Sequence, residues 1–139
     1  MWKRIVDAWN GTNGDEGSYG TIKIYDFEGM KQLIHDKPPS AVLVDVREPA
    51  EFEVVKLPGS INVPFRSHPR GFSLGDGEFL STFGVTKPTK DKELVFYCAS
   101  GRRATSALSV AEKDGYTHCS LYPGSMNDWV SKGGDKCKL

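Results

Sequence analysis

The sequence predicts an α/β domain in which a parallel five-stranded sheet carries helices on both of its faces. Strand-like and helix-like patterns alternate along the chain, and this order is typical of parallel strands joined by helical connections. The runs 41–46 and 93–97 are mostly apolar and rich in β-branched or aromatic residues, as expected of strands covered on both faces. A chain of 139 residues is also the usual size of one domain.

Local signals mark the ends of several elements. Asp26 is a suitable N-cap for a helix that places Phe27, Met30, Leu33 and Ile34 on one face. Pro49 fits the first turn of a second helix, and Gly115 fits the position just after another. In chain order the expected strands are 21–25, 41–46, 61–63, 93–97 and 118–122. The expected helices are one that follows Asp26 and those at 48–55, 77–83, 104–113 and 125–130.

The two ends of the chain differ from this alternating region. Residues 1–20 predict a short amphipathic helix, with Trp2, Ile5, Val6 and Trp9 on one face, followed by a flexible linker rich in Gly, Asn and Ser. Residues 21–134 are predicted to form the domain, and residues 135–139 a polar C-terminal tail.

The charge balance excludes several classes of partner. The 18 basic and 18 acidic side chains cancel, so we expect no nucleic acid or membrane partner. No apolar run approaches the roughly 20 residues that span a bilayer, and no secretory signal is recognisable. We therefore expect a cytoplasmic protein, while the basic pair Lys3-Arg4 in the amphipathic segment keeps a mitochondrial location as the alternative.

Three cysteines form an odd set without a C-x-x-C pair, which argues against a disulfide framework and against a thiolate zinc site. The histidines also lack metal-ligand spacing, so neither a metal nor another cofactor is expected. Cys119 lies in a predicted strand and Cys137 in the polar tail, and both suit an inert thiol. Cys98 is different because it directly follows the predicted strand 93–97, at the carboxyl end of that strand.

The loop that Cys98 opens has the properties of a reactive site. Ligands of open parallel sheets bind at the carboxyl ends of the strands, where Cys98 lies. Gly101 can take a positive φ, and the following helix begins with N–H groups that lack intrahelical partners. Amides converging from such a loop bind anions, and together with Arg102 and Arg103 they would stabilise a thiolate. The sequence thus predicts a catalytic Cys98 and a substrate cradle formed by Ala99, Ser100, Gly101, Arg102 and Arg103.

Several ordered motifs resemble those of the rhodanese family of sulfurtransferases. They are Asp45-Val46-Arg47-Glu48 with Glu51-Phe52, Leu57-Pro58-Gly59-Ser60, and the six-residue loop that begins at Cys98. The segments 62–69 and 122–130 are also similar to the small single-domain members found in yeasts. This resemblance implies a single rhodanese-like domain. Lys56 departs from the pattern, since the family commonly has His there, and no role of that histidine is carried over.

The resemblance also implies a reaction and roles for residues. The Cys98 thiolate would take the outer sulfur of thiosulfate, release sulfite, and pass the sulfur from a persulfide to a thiol or to cyanide. Asp45 and Arg47 would support the site through an ion pair. From its position after the third expected strand, Arg66 is expected to line the pocket mouth. Glutathione is the favoured acceptor because the loop is similar to the Gly-Lys-Arg loops of small sulfurtransferases that use it.

Three alternatives remain open at this point. A Cys-dependent phosphatase of the same fold would need arginine six places after Cys98, where this chain has Ala104. A non-catalytic rhodanese-like module would typically lack the loop cysteine. A relay that takes sulfur from a protein persulfide would keep the chemistry and change only the donor.

Overall fold

The computed structural model describes residues 22–137, and its architecture is the predicted one. The strands are β1 (Lys23–Ile24), β2 (Ala41–Asp45), β3 (Ile61–Asn62), β4 (Glu93–Tyr97) and β5 (Cys119–Leu121). The helices are α1 (Phe27–Asp36), α2 (Pro49–Val54), α3 (Asp76–Phe83), α4 (Arg102–Lys113) and α5 (Ser125–Ser131), with 3-10 turns at Gly71–Ser73 and Gly134–Lys136. The strands lie in the order β1-β5-β4-β2-β3 and every pair is parallel.

The central strands are full length and the edge strands are shorter than predicted. β2 and β4 pair over five residues, from Ala41 opposite Glu93 to Asp45 opposite Tyr97. β1 and β3 each keep two residues, although their hydrogen bonding continues beyond, since Tyr25 N donates to Leu121 O at 2.9 Å. An edge strand has a partner on only one side, so its assigned ends retreat first.

Two apolar cores lie on opposite faces of the sheet, which confirms the prediction of helices on both sides. One face packs α3 and α4 against the strands, with Phe79, Leu94, Phe96 and Leu108 among its buried side chains. The other face packs α1 and α5, with Met30, Ile34, Tyr97 and Trp129 among its buried side chains. The sheet is therefore fixed between two helical layers, as the alternating pattern requires.

Helix ends follow the local chemistry. The Asp26 side chain accepts from Gly29 N at 2.8 Å, so the predicted N-cap of α1 is confirmed. Helix α4 begins at Arg102, two residues before the predicted start at Ala104, because Gly101 takes φ +99° and allows the chain to turn directly into the helix. Both loop arginines consequently belong to the first turn of α4.

The C-terminal part continues past the predicted domain end. The 3-10 turn Gly134–Lys136 crosses the boundary placed between residues 134 and 135, and Gly134 packs against the Trp129 indole so closely that a Cβ there would lie 2.3 Å from the ring. The predicted N-terminal helix and the linker, residues 1–20, lie outside the described residues, and the division of the chain into segments stays a prediction. Within residues 22–137, no helix has both the length and the apolar character that crossing a bilayer requires.

Candidate active site

Cys98 follows the last residue of β4 and its sulfur faces backbone N–H groups of its own loop. The residue is fully buried, at 0% exposure. Its Sγ accepts from the N–H of Gly101 at 3.0 Å and from the N–H of Ala104 at 3.4 Å. The first donor comes from the loop and the second from the first turn of α4, so a helix N-terminus and a turn are directed at one sulfur atom.

The loop can take this shape only with glycine at position 101, its fourth residue. Gly101 has φ +99°, and a Cβ built there would lie 2.6 Å from the carbonyl oxygen of Pro123. The backbone conformation and the close approach of the Pro123 segment thus each exclude a side chain. That contact also shows that the chain between β5 and α5 forms one wall of the loop.

The start of α5 holds the peptide groups around Cys98. The N–H of Cys98 donates to Ser125 Oγ at 3.1 Å, and this hydroxyl donates to the carbonyl of Tyr122 at 2.9 Å. The carbonyl of Cys98 accepts from Met126 N at 2.9 Å, and that of Ala99 accepts from Asn127 N at 3.0 Å. Both sides of the cysteine are therefore hydrogen bonded to the same segment.

Ser125 is a site residue that the sequence analysis missed. It is fully buried and has φ +58°, one of two positive φ values outside glycine within residues 22–137. Such a conformation costs a non-glycine residue about 1–2 kcal/mol, so the surrounding contacts must hold it. The signal in the sequence was the segment from Tyr122 to Val130, which carried a family resemblance but was given no role.

The two loop arginines have different environments. Arg103 pairs with Glu51 of α2, with Nη1 to Oε1 at 3.0 Å and Nη2 to Oε2 at 3.3 Å. The Arg103 hydrogen bond is the main cause that lowers the pKa of Glu51 below its ordinary value. Arg102 is exposed, and its guanidinium makes no hydrogen bond or ion pair with the rest of residues 22–137. Arg102 is thus available to a ligand, whereas Arg103 is held.

Asp45 and Arg47 form a buried ion pair at the carboxyl end of β2. Arg47 Nη2 lies 2.6 Å from Asp45 Oδ2 and also donates to the carbonyl of Val55 at 2.5 Å. The backbone N–H of Arg47 donates to Asp45 Oδ1 at 2.9 Å. Asn62 donates to the carbonyls of both residues, at 3.0 and 2.8 Å. The pair connects β2, β3 and the chain after α2, which is the flank of the site that also carries Glu51.

Arg66 is exposed after β3 and makes no hydrogen bond or ion pair within residues 22–137. Its neighbour Ser67 donates to Glu48 Oε1 at 2.5 Å, so this stretch of chain is tied to the start of α2. The backbone N–H of Glu48 in turn donates to Glu51 Oε1 at 2.9 Å. The segment that carries Arg66 is connected in this way to the acid that holds Arg103.

The other two cysteines have surroundings that suit inert thiols. Cys119 is buried in β5 and donates to the carbonyl of Tyr116 at 3.5 Å, and burial raises the pKa of its thiol to about 12. Cys137 is partly buried and its thiol lies 3.5 Å from the carbonyl of Gly133. No group of three metal-binding side chains occurs among the described residues. Of the three thiols, Cys98 is the one whose Sγ accepts backbone hydrogen bonds in the described structure.

Comparison with known proteins agrees with this geometry. The rhodanese-like domain model matches residues 26–132, which is most of the chain. The chain is a member of the rhodanese family. The resemblance seen in the motifs is thereby confirmed.

Two relatives of this rhodanese are sulfurtransferases of Saccharomyces cerevisiae. The chain is 53% identical over 139 residues to its thiosulfate:glutathione sulfurtransferase, with 100% of both chains covered. It is 42% identical over 116 residues to the mitochondrial thiosulfate sulfurtransferase RDL2, covering 84% of this chain and 78% of the relative. The solved structure of RDL2 superposes with a TM-score of 0.81 at 42% identity, covering 85% of this chain and 96% of the other.

Proposed function

We propose that this rhodanese is a thiosulfate sulfurtransferase that passes sulfur through a Cys98 persulfide to glutathione. The observation that carries the proposal is the pair of backbone N–H groups, from Gly101 and Ala104, directed at the Cys98 sulfur. Donors fixed in this way stabilise a negative sulfur both as a thiolate and as a persulfide. The full-length relative at 53% identity bears the name of this activity.

In the first step the Cys98 thiolate attacks the outer sulfur of thiosulfate. A new bond forms between the two sulfurs, the bond within thiosulfate breaks, and its electron pair leaves with sulfite. The enzyme then holds a persulfide anion, so atoms and charge balance without an oxidant. The amides of residues 99–103, together with that of Ala104, are proposed to cradle this anion, with Arg102 as the cation that meets the donor.

In the second step a glutathione thiolate attacks the outer sulfur of the persulfide. The bond to Cys98 breaks, the Cys98 thiolate is regenerated, and glutathione persulfide leaves. Cyanide would accept the same sulfur and leave as thiocyanate. The acceptor assignment is supported by the name of the full-length relative, thiosulfate:glutathione sulfurtransferase.

Residues around the loop are proposed to position it. Glu51 fixes Arg103, so this arginine holds the loop against α2 while its neighbour contacts the substrate. The Asp45–Arg47 pair would keep the ends of β2 and β3 in place beside the loop. Arg66, exposed on the same flank, would attract the anionic donor to the pocket mouth.

A cytoplasmic location is proposed over a mitochondrial one. The relative that matches the whole chain carries no compartment in its name, whereas the less similar RDL2 is named mitochondrial.

Intact mass after thiosulfate treatment tests the function. We expect a gain of about 32 Da, one sulfur atom, through the persulfide step. The Cys98→Ser variant should lose the gain, while the matched variants Cys119→Ser and Cys137→Ser should keep it. An adduct that persists in Cys98→Ser would overturn the assignment of the nucleophile.

A further inference from the structure

A groove of about 370 Å³ runs along one flank of the Cys98 loop. It is lined by the loop, the first turns of α4 and the chain before α5, through Ser100, Gly101, Arg102, Thr105, Ser106 and Pro123. Gly101 connects this groove with the cradle of the reactive sulfur, since it lines the groove while its N–H donates to Cys98 Sγ at 3.0 Å; Cys98 itself is buried and is not part of the lining. A molecule seated there would lie along the first turns of α4, beside the loop that holds the sulfur.

The lining of the groove is cationic and free of acids. Arg102 is its charged side chain, and the guanidinium has no partner within residues 22–137. The Thr105 hydroxyl is engaged, since it donates to the carbonyl of Gly101 at 2.9 Å. The Ser106 hydroxyl is 3.5 Å from the carbonyl of Arg102, at the long limit of a hydrogen bond, so it can turn to a ligand. The groove is suited to a single carboxylate.

We propose that this groove binds the glycine carboxylate of glutathione during the second step, an inference that rests on the proposed function. Glutathione carries its thiol on the middle residue, and its glycine carboxylate lies one residue further along the backbone, which adds up to about 3.6 Å to the length of the cysteine side chain. In this arrangement the thiol approaches the persulfide and the carboxylate pairs with Arg102, whose planar guanidinium can donate two parallel hydrogen bonds.

The groove favours the glycine end over the γ-glutamyl end of the acceptor. The γ-glutamyl carboxylate stands beside an ammonium group, which would need an acidic partner, and none of the residues in the described lining is acidic. The glycine carboxylate has no such neighbour, so an isolated arginine with nearby hydroxyls matches it.

The test isolates the second step by loading the persulfide before the acceptor is added. Enzyme treated with thiosulfate is desalted, its mass is checked, and it is then mixed with glutathione, glutathione glycine ethyl ester or the neutral thiol 2-mercaptoethanol. The variant Ser106→Glu places a negative charge in the groove. Ser109→Glu is the matched control, since Ser109 is exposed on the same helix and does not line the groove.

We expect Ser106→Glu to lower the rate constant for glutathione about tenfold relative to that for 2-mercaptoethanol, through like-charge repulsion. Ser109→Glu should keep the ratio of the unmodified enzyme. With unmodified enzyme, the rate constant for the ester should be lower than that for glutathione. The Ser106→Glu substitution should change the rate constant for the ester only slightly. Equal effects on charged and neutral thiols, or an unchanged glutathione rate, would overturn the subsite. Absence of the adduct before mixing would instead overturn the sulfurtransfer on which it rests.

Discussion

Replacement of Ser125 separates the hydrogen bond that this residue makes from the strained backbone that it adopts. Ser125→Ala removes the hydroxyl and keeps a side chain at φ +58°, whereas Ser125→Gly removes the hydroxyl and relieves the conformation. Both variants leave the buried N–H of Cys98 without its acceptor at 3.1 Å. The two variants should therefore differ in thermal stability and should slow persulfide formation to the same extent.

The magnitudes follow from the buried geometry. A buried donor that loses its acceptor costs about 1–3 kcal/mol, which sets the loss for Ser125→Ala. Ser125→Gly bears the same loss but recovers about 1–2 kcal/mol of the left-handed strain. The glycine variant should thus unfold about 3–10 °C above the alanine variant, since 1 kcal/mol shifts the midpoint by about 3–5 °C in a domain of this size.

The rate of persulfide formation supplies the second measurement. Because the loop loses the same anchor in both variants, we expect each to form the persulfide about tenfold more slowly, a change of about 1.4 kcal/mol in the barrier. Thermal unfolding and rapid-quench mass analysis would be carried out on both proteins. If Ser125→Gly recovers the rate together with the stability, the hydroxyl does not position Cys98 and the reasoning is wrong.

Two further substitutions test the loop and its arginine. Gly101→Ala should destabilise the protein by about 2 kcal/mol or more and abolish the persulfide, because its Cβ would lie 2.6 Å from the carbonyl of Pro123. Gly115→Ala is the control for backbone strain alone, because Gly115 has φ +104° and its nearest neighbour is the flexible side chain of Lys90. This variant should be less stable than the unmodified protein and should still form the persulfide adduct on Cys98. Glu51→Gln should cost less than about 1 kcal/mol at neutral pH, because the Glu51 side chain is 39% exposed and its pair with Arg103 is screened. The pKa of Glu51 is lowered in the fold, so the stabilisation by its pair with Arg103 is present above the ordinary glutamate pKa and is lost as pH falls through the lowered pKa. The free energies of unfolding of the unmodified protein and Glu51→Gln should therefore converge in acid. A difference between them that stays constant with pH would contradict a stabilising ion pair.

The fold could be predicted because its signals are local and repeated. Continuous apolar runs specified β2 and β4, and the Asp26 cap with its periodic apolar face specified α1. The ends of elements were less predictable because they depend on neighbours. Strand β1 is shorter than its apolar pattern, since an edge strand is paired on one side only, and α4 starts early because the turn at Gly101 opens directly into it.

The site could be predicted in part. Cys98, at a strand end before a glycine-containing loop, was evident from chain order, and the structure directs two amides at it. Glu51 and Ser125 lie 47 positions before and 27 positions after the cysteine; both belong to segments that carry the family resemblance, but nothing in the sequence shows that they contact the Cys98 loop. Contacts of that kind arise only when the sheet brings distant strand ends together, so the pairing of Arg103 and the anchor on the Cys98 peptide required the structure.

The central place of β4 in the sheet has a consequence for how such an enzyme can diversify. The strand order puts β2 on one side of the cysteine and β5 on the other, so the loop has two independent supports. The β2 side carries the acid that fixes Arg103, and the β5 side carries Ser125 and a wall of the groove. A substitution along the groove would therefore change the proposed acceptor subsite and leave the Glu51–Arg103 contact on the opposite side of the loop in place.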